Sequence, residues 1–164
     1  MHTAMSEIQI SENFFDSKDQ DYVMNYCLNC SYHYGETDAQ QTPPTGLVHN
    51  IPNQEKIYDL FVNRIYESIP KIRNLSLYRM YVNCFAPSEN PYFHTDGESG
   101  YTFLYYPQNH WIPDDGGETQ FYFDGNIYGI VPISNRMVMF DASLLHRATS
   151  FRNRHRFTVA IKYE

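Results

Sequence analysis

The 164-residue sequence contains no long apolar run. A helix that crosses a bilayer needs roughly 18 or more consecutive apolar residues, so no membrane association is expected. Positive charge is scarce too. Twelve Lys and Arg stand against 19 Asp and Glu, giving a formal net charge of −7. Without a basic stripe to neutralise phosphates, nucleic acid is not an expected partner. A basic partner would suit this charge, although it also serves solubility. Cysteine is sparse, and three residues do not make a disulfide framework. Cys27-Leu-Asn-Cys30 is a lone CxxC with no second pair and no matching histidine spacing. It reads as two ordinary thiols at i and i+3 on one helix face. Met1 to Ile10 lacks a basic stretch followed by an apolar run, so no signal peptide is expected. Residues 1–10 are expected to be disordered or vector-derived, and the location cytoplasmic.

Aromatics are plentiful, with 15 Tyr and 11 Phe, alongside nine Pro and eight Gly. That mixture favours short strands and frequent turns over a helical bundle. The length is that of one domain over 1–164, with helical support over about 11–74 and a β core over about 75–164. Ser11 to Phe15 reads as a short strand entering a helix capped near Ser17, which continues through Tyr22, Val23, Tyr26 and Cys27. Ser31 to Tyr34 alternates like a strand. Gly35 to Pro52, with Pro43, Pro44 and Gly46, reads as a long loop and a candidate lid. A second helix over about Gln54 to Ser68 carries Ile57, Leu60, Phe61, Ile65 and Ile69 on one stripe, and Pro70 ends it. From Leu77 to Phe85 the pattern has period two. Met80, Val82 and Cys84 fall on an apolar face, and Arg79, Tyr81, Asn83 and Phe85 on a mixed one. Strands are also expected at Tyr101–Tyr106, Glu118–Phe123, Asn126–Val131, Arg136–Phe140 and Arg156–Tyr163. The implied fold is mainly β, a sandwich or barrel with the N-terminal helices packed on one sheet.

One short stretch concentrates chemistry: Pro91-Tyr-Phe-His94-Thr-Asp96-Gly97. In an extended strand residues i and i+2 share a face, so His94 and Asp96 aim an imidazole and a carboxylate at one point. A second histidine would complete a 2-His-1-carboxylate facial triad, the donor set of non-haem Fe(II) oxygenases. His146, just past an apolar strand, can supply it. Ten residues later Arg156 opens the last strand, sharing a face with Thr158, Ala160 and Lys162. A guanidinium fork grips a carboxylate by two parallel hydrogen bonds. A metal holding a 2-oxo acid by its keto and C1 carboxylate oxygens, with Arg156 on the far carboxylate, would make a site for 2-oxoglutarate. Parity would also allow Arg154 in that place, but the spacing favours Arg156.

His94-x-Asp96, His146 and Arg156 in this order resemble the Fe(II)- and 2-oxoglutarate-dependent dioxygenases, in particular their prolyl 4-hydroxylase-like branch. The resemblance runs from about Arg79 to Tyr163 and includes Gly116-Gly-Glu-Thr119 and Asn135-Arg-Met-Val-Met-Phe140. It implies a double-stranded β-helix of jelly-roll or cupin-like form. It also implies Fe(II) as cofactor, 2-oxoglutarate and O2 as cosubstrates, and stimulation by ascorbate. The implied reaction couples oxidative decarboxylation of 2-oxoglutarate to hydroxylation of a substrate C–H bond, most readily a prolyl residue of a protein or peptide. By the same resemblance Tyr106 and Thr119 help bind the cosubstrate, and Thr158, beside Arg156, is added to them. Two positions depart from the prolyl hydroxylase pattern: Phe85 replaces a Tyr, and Lys162 replaces a Trp that lines the substrate pocket.

Tyr81, Asn83, Phe85, Trp111 and Lys162 are the expected substrate-pocket residues, and Asn109 to Gly116 is a second candidate lid. Tyr32, Tyr34, Phe93, Tyr106 and Trp111 could line a groove for an extended proline-containing peptide. Two other readings stand beside this one. The first is a hydroxylase of a free amino acid or another small molecule, with Lys162 facing a substrate carboxylate. The second is a non-catalytic β-barrel that binds a metal or a carboxylate.

Overall fold

A computed structural model describes residues 8–164. Most of the segment 1–10 therefore lies outside the described residues, but its last part does not follow the expectation of disorder. Gln9–Ser11 forms a strand, β1, paired with Met137–Met139. Ser11 to Phe15 was the expected strand; pairing stops at Ser11, and Asn13 takes a left-handed backbone. The Asn135 side chain then receives this segment, accepting from Phe15 N and donating to Phe15 O.

Helix α1 spans Ser17–Asn29, and Asp16 rather than Ser17 caps it, its carboxylate accepting from Asp19 N at 2.9 Å. Strand β2 (His33–Tyr34) is followed by an irregular segment and by β3 (Leu47–Asn50), a strand inside the stretch 35–52 whose composition implies a loop. Helix α2 spans Lys56–Ser68 and gives way at Pro70 to a 3-10 turn, Pro70–Asn74. The remaining strands are β4 (Leu77–Phe85), β5 (Tyr101–Tyr106), β6 (Thr119–Phe123), β7 (Asn126–Ile130), β8 (Arg136–Asp141), β9 (His146–Ala148) and β10 (Arg156–Tyr163).

Two antiparallel sheets result. The larger has the order β1-β8-β5-β10-β4-β3-β2, and the smaller β7-β6-β9. An isolated bridge between His94 and His146 adds one residue to the edge of the smaller sheet. The sheets face each other as a double-stranded β-helix. Period-two alternation gives the strands two apolar destinations. Met80, Val82, Cys84, Phe103, Tyr105, Val159 and Ile161 point outward against Val23 and Cys27 of α1 and Ile57, Phe61 and Ile65 of α2. Tyr81, Leu104, Tyr106, Val138, Phe140 and Ala160 point between the sheets and meet Phe121 of β6. The outer layer anchors the larger sheet, since each fully buried side chain of this size contributes about 1.5–3 kcal/mol. The inner layer leaves the open end of the sandwich to polar residues.

The three cysteines are free thiols, with Cys27 and Cys84 buried in the outer layer. No helix among the described residues is long and apolar enough to cross a membrane.

Candidate active site

The register of β10 against its neighbours builds the site. Arg156 pairs with Phe85 and Lys162 with Arg79 on β4, and Lys162 pairs with Thr102 on β5. Residues of one parity on these strands therefore open onto a single cavity of about 210 Å³. Its walls include Arg79, Tyr81, Asn83 and Phe85 of β4, Thr119 of β6, and Arg156, Thr158 and Lys162 of β10. His94 and Asp96 come from the extended segment before β5, and His146 from the start of β9.

At the open end the ligand atoms of His94, Asp96 and His146 all lie within 4.8 Å of one another. The backbones of His94 and His146 exchange two hydrogen bonds, each 2.9 Å, which holds one imidazole beside the other. Each ring is oriented from behind. His94 Nδ1 lies 3.0 Å from Tyr92 O and His146 Nδ1 2.8 Å from Leu144 O. A carbonyl can only accept, so each Nδ1 carries a proton and each Nε2 is the atom that faces the cluster. The Nε2 atoms sit 3.6 Å from Asp96, that of His94 from Oδ1 and that of His146 from Oδ2.

Burial opposes ionisation of Asp96, but His94, His146 and Lys162 outweigh it and hold the carboxyl well below the usual range. Desolvation pushes the His146 imidazole down to about 4, so it is neutral at physiological pH. One ionised carboxylate and two imidazoles whose Nε2 atoms converge on it fit a divalent metal of borderline softness such as Fe(II), which would displace any proton from His94 Nε2.

The closed end is built around Arg156, which is 1% exposed. Its Nε donates to Gly117 O at 2.7 Å and its Nη2 to Thr119 Oγ1 at 3.0 Å. Among the described residues no acceptor engages Nη1. A buried guanidinium with one edge fixed and one donor group open toward a cavity is suited to an incoming carboxylate. Thr158, 2% exposed, lines the cavity beside it.

Two of the expected residues lie off the cavity wall and a third is on it. Tyr106 does not line the cavity. Its fully buried ring lies 5.6 Å from the Arg156 guanidinium carbon, and its hydroxyl pairs with Thr119 Oγ1 at 2.7 Å. It therefore supports the cavity wall from behind. Trp111 does not line it either. The indole N–H donates to Gly116 O at 2.9 Å, and Asn109 to Gly116 is tied down by Arg154, whose Nη2 donates to His110 O and pairs with Asp115. These bonds make that segment a braced strut in this structure. Lys162 enters the pocket but is already engaged, its Nζ 2.7 Å from Asp96 Oδ1.

The expected aromatic groove does not form from the five named residues. Tyr32 packs into the outer layer, Tyr34 is exposed, and Phe93 lies under Arg147 and against Tyr122.

The segment after β2 contributes residues that the sequence did not single out. Glu36, Thr37, Asp38 and Thr45 line the mouth. Glu36 pairs with Arg79 at 2.5 Å, Asp38 Oδ2 accepts from Tyr92 N and Thr45 Oγ1, and Glu89 accepts from Gly46 N. Three carboxylates thus strap residues 35–46 across the opening. A long Pro- and Gly-containing loop was the available signal for a cover, and nothing local marked these acidic residues as its fasteners.

A double-stranded β-helix with two histidines and an aspartate converging at one end defines a class of metal-dependent oxygenase scaffolds. The chain belongs to the 2OG-Fe(II) oxygenase superfamily, whose family model matches residues 79–163, just over half of the sequence. Membership implies Fe(II) and 2-oxoglutarate. No curated protein sequence matches significantly. Among solved structures, one similar fold is a prolyl hydroxylase from Trichoplax adhaerens in complex with a hypoxia inducible factor oxygen degradation domain peptide. Its TM-score is 0.79 and its identity 19%, over 96% of this chain and 83% of that one. A prolyl-4-hydroxylase from Pseudomonas putida gives 0.77 and 15%, over 96% and 92%. HygX from Streptomyces hygroscopicus, with nickel, 2-oxoglutarate and hygromycin B bound, gives 0.74 and 11%, over 96% and 82%.

Proposed function

We propose that this chain is an iron- and 2-oxoglutarate-dependent hydroxylase acting on a prolyl residue of a protein or peptide. The observation that carries the reading is the opening of His94, Asp96, His146 and Arg156 onto one cavity. His94, Asp96 and His146 would hold Fe(II), and Arg156 would hold the distal carboxylate of 2-oxoglutarate, with Thr119 and Thr158 beside it. Fe(II), when bound, supplies the O2 activation that couples loss of CO2 from 2-oxoglutarate to hydroxylation of a substrate C–H bond.

The chain's own groups do the positioning. The two Nδ1–H groups on backbone carbonyls fix the histidine tautomers, and Asp96 remains ionised. Arg156 orients the cosubstrate by its long axis. The strap over residues 35–46 limits water at the mouth. Ascorbate would act as a reductant that restores Fe(II), from outside these residues.

The cavity size favours a substrate presented on a chain. About 210 Å³ is below the roughly 300–1,000 Å³ usual for pockets that enclose a drug-sized molecule. Cosubstrate and metal would take most of it, leaving room for one small side chain at the mouth. The peptide complexed with the Trichoplax relative is consistent with that mode. HygX, with hygromycin B bound, supports a second reading in which a small molecule enters after the strap opens.

The test is succinate formation from 2-oxoglutarate with Fe(II) and O2, in the presence of proline-containing peptides or of free amino acids. His94→Ala should abolish turnover, and Arg156→Ala should raise the 2-oxoglutarate requirement. Stimulation by peptides supports the prolyl reading, and stimulation by free amino acids alone supports the second. If turnover is absent, an anaerobic Fe(II)–2-oxoglutarate charge-transfer band marks an enzyme waiting for its substrate, and absence of the band overturns the iron-site reading.

A further inference from the structure

The carboxylate of Asp96 is gripped from the larger sheet by two cross-strand partners. Thr102 on β5 and Lys162 on β10 stand directly opposite each other in the register. Thr102 Oγ1 donates to Oδ2 at 2.5 Å, and Lys162 Nζ donates to Oδ1 at 2.7 Å. Thr102 is 1% exposed, and the side chains of Asp96 and Lys162 are 2% and 12% exposed. The aliphatic stem of Lys162 is held by its strand, and its ammonium lies 5.2 Å from the centre of the Tyr81 ring, a second favourable site for a cation. Because the register sets both donors, each carboxylate oxygen has one lone pair committed to the sheet and the other turned toward His94 and His146.

We propose that Thr102 and Lys162 form a clamp that orients the metal carboxylate, and that Lys162 is a positioning residue whose fixed charge also weakens the site for cations. This rests on the reading of His94, Asp96 and His146 as metal ligands. The two halves of the clamp act with opposite sign. Thr102 is neutral, so its hydrogen bond only orients the carboxylate and favours metal binding. Lys162 orients too, but it places a full positive charge within a few ångströms of an incoming dication, in a buried site where water screens little. Two like charges at such range interact more strongly than one hydrogen bond to a carboxylate. The repulsion therefore dominates, and the site gives up cation affinity in return for a carboxylate of fixed orientation.

The experiment measures the affinity of Co(II) alone, by anaerobic isothermal titration, for wild type, Lys162→Met, Lys162→Arg and Thr102→Val, with His94→Ala as the negative control. The Met variant should bind roughly tenfold or more tightly than wild type. The Arg variant, which keeps the charge, should stay near wild type. The Val variant should bind several-fold more weakly. A purely structural role for Lys162 predicts weaker binding in the Met variant, and that result, or no change, overturns the proposal. If the Met variant fails to fold, Lys162→Gln removes the charge while keeping a donor, and the same tightening is expected. Wild type that binds Co(II) no better than His94→Ala would overturn the metal-site reading and the clamp with it. Binding in wild type without tightening in the charge-removed variants overturns the clamp alone.

Discussion

Tyr106 and Thr119 meet hydroxyl to hydroxyl at 2.7 Å behind the cavity, and the same Thr119 oxygen accepts from Arg156 Nη2 at 3.0 Å. One threonine thus fixes both the arginine and the tyrosine beneath it. Thr119→Val keeps the shape but leaves Arg156 Nη2 without its acceptor and the Tyr106 hydroxyl without its partner, each costing about 1–3 kcal/mol. The expected result is a 2-oxoglutarate KM raised about tenfold or more, with kcat at saturating cosubstrate little changed. Tyr106→Phe removes one partner of Thr119 and leaves Arg156 its acceptor, so its KM should rise only a few-fold. Steady-state succinate formation across 2-oxoglutarate concentrations separates the two. Equal effects would mean that Tyr106 touches the cosubstrate itself.

Gly117 supplies the carbonyl that holds Arg156 Nε, and it does so from a backbone with φ +80°. A Cβ there would stand 2.3 Å from the Phe151 ring, a buried side chain with nowhere to retreat. Gly117→Ala should therefore cost about 2 kcal/mol from backbone strain and overpacking. It should also shift the carbonyl under Arg156. Chemical denaturation reads the first effect, and a weakened response to 2-oxoglutarate reads the second.

Much of this architecture is legible in the sequence because period two is a strong signal where one face is apolar. The bounds of Leu77–Phe85, Tyr101–Tyr106 and Arg156–Tyr163 follow from alternation alone, and with them the face that carries Arg156, Thr158 and Lys162. β9, where His146 sits, has three residues, too few for any period to show, and β3 lies within a stretch rich in turn residues with only Val48 fully buried. Spacing could nominate His146 as a partner for His94, but the bridge that joins them is a single residue pair. Side-chain pairings such as Glu36 with Arg79 or Lys162 with Asp96 span 43 and 66 residues, and no local pattern encodes them. Arg152 and Arg154 donate to the backbone of the 110–115 strut, because the carbonyls of that segment have no strand N–H to donate to them.

The Glu36–Arg79 pair predicts an acid-labile strap. The hydrogen bond from Arg79, together with its charge, overcomes partial burial and holds the Glu36 carboxyl below its ordinary value of 4.5. A carboxylate with a depressed folded pKa contributes stability that is full above 4.5 and is lost as pH falls through the lower folded value. Hydrogen exchange of residues 35–46, followed by mass spectrometry, should be several-fold faster in Glu36→Gln than in wild type at neutral pH. That difference should shrink steadily below pH 4.5. An equal difference at all pH values would mean that the glutamate holds the strap by shape rather than charge.

Trp111, the single tryptophan, offers the sharpest contrast between sequence and structure. An aromatic near a candidate lid suggested substrate contact, yet its indole N–H is spent on Gly116 O at 2.9 Å within its own turn, away from the cavity walls. Trp111→Phe removes that bond and keeps most of the ring. It should leave Co(II) affinity and the KM for 2-oxoglutarate within about twofold of wild type, because neither ligand site touches it. Stability should fall by about 1 kcal/mol, the usual worth of one hydrogen bond, which equilibrium denaturation can resolve. A selective loss of peptide-stimulated turnover, with both ligand affinities intact, would instead return the 109–116 strut to the substrate path and require it to move on binding.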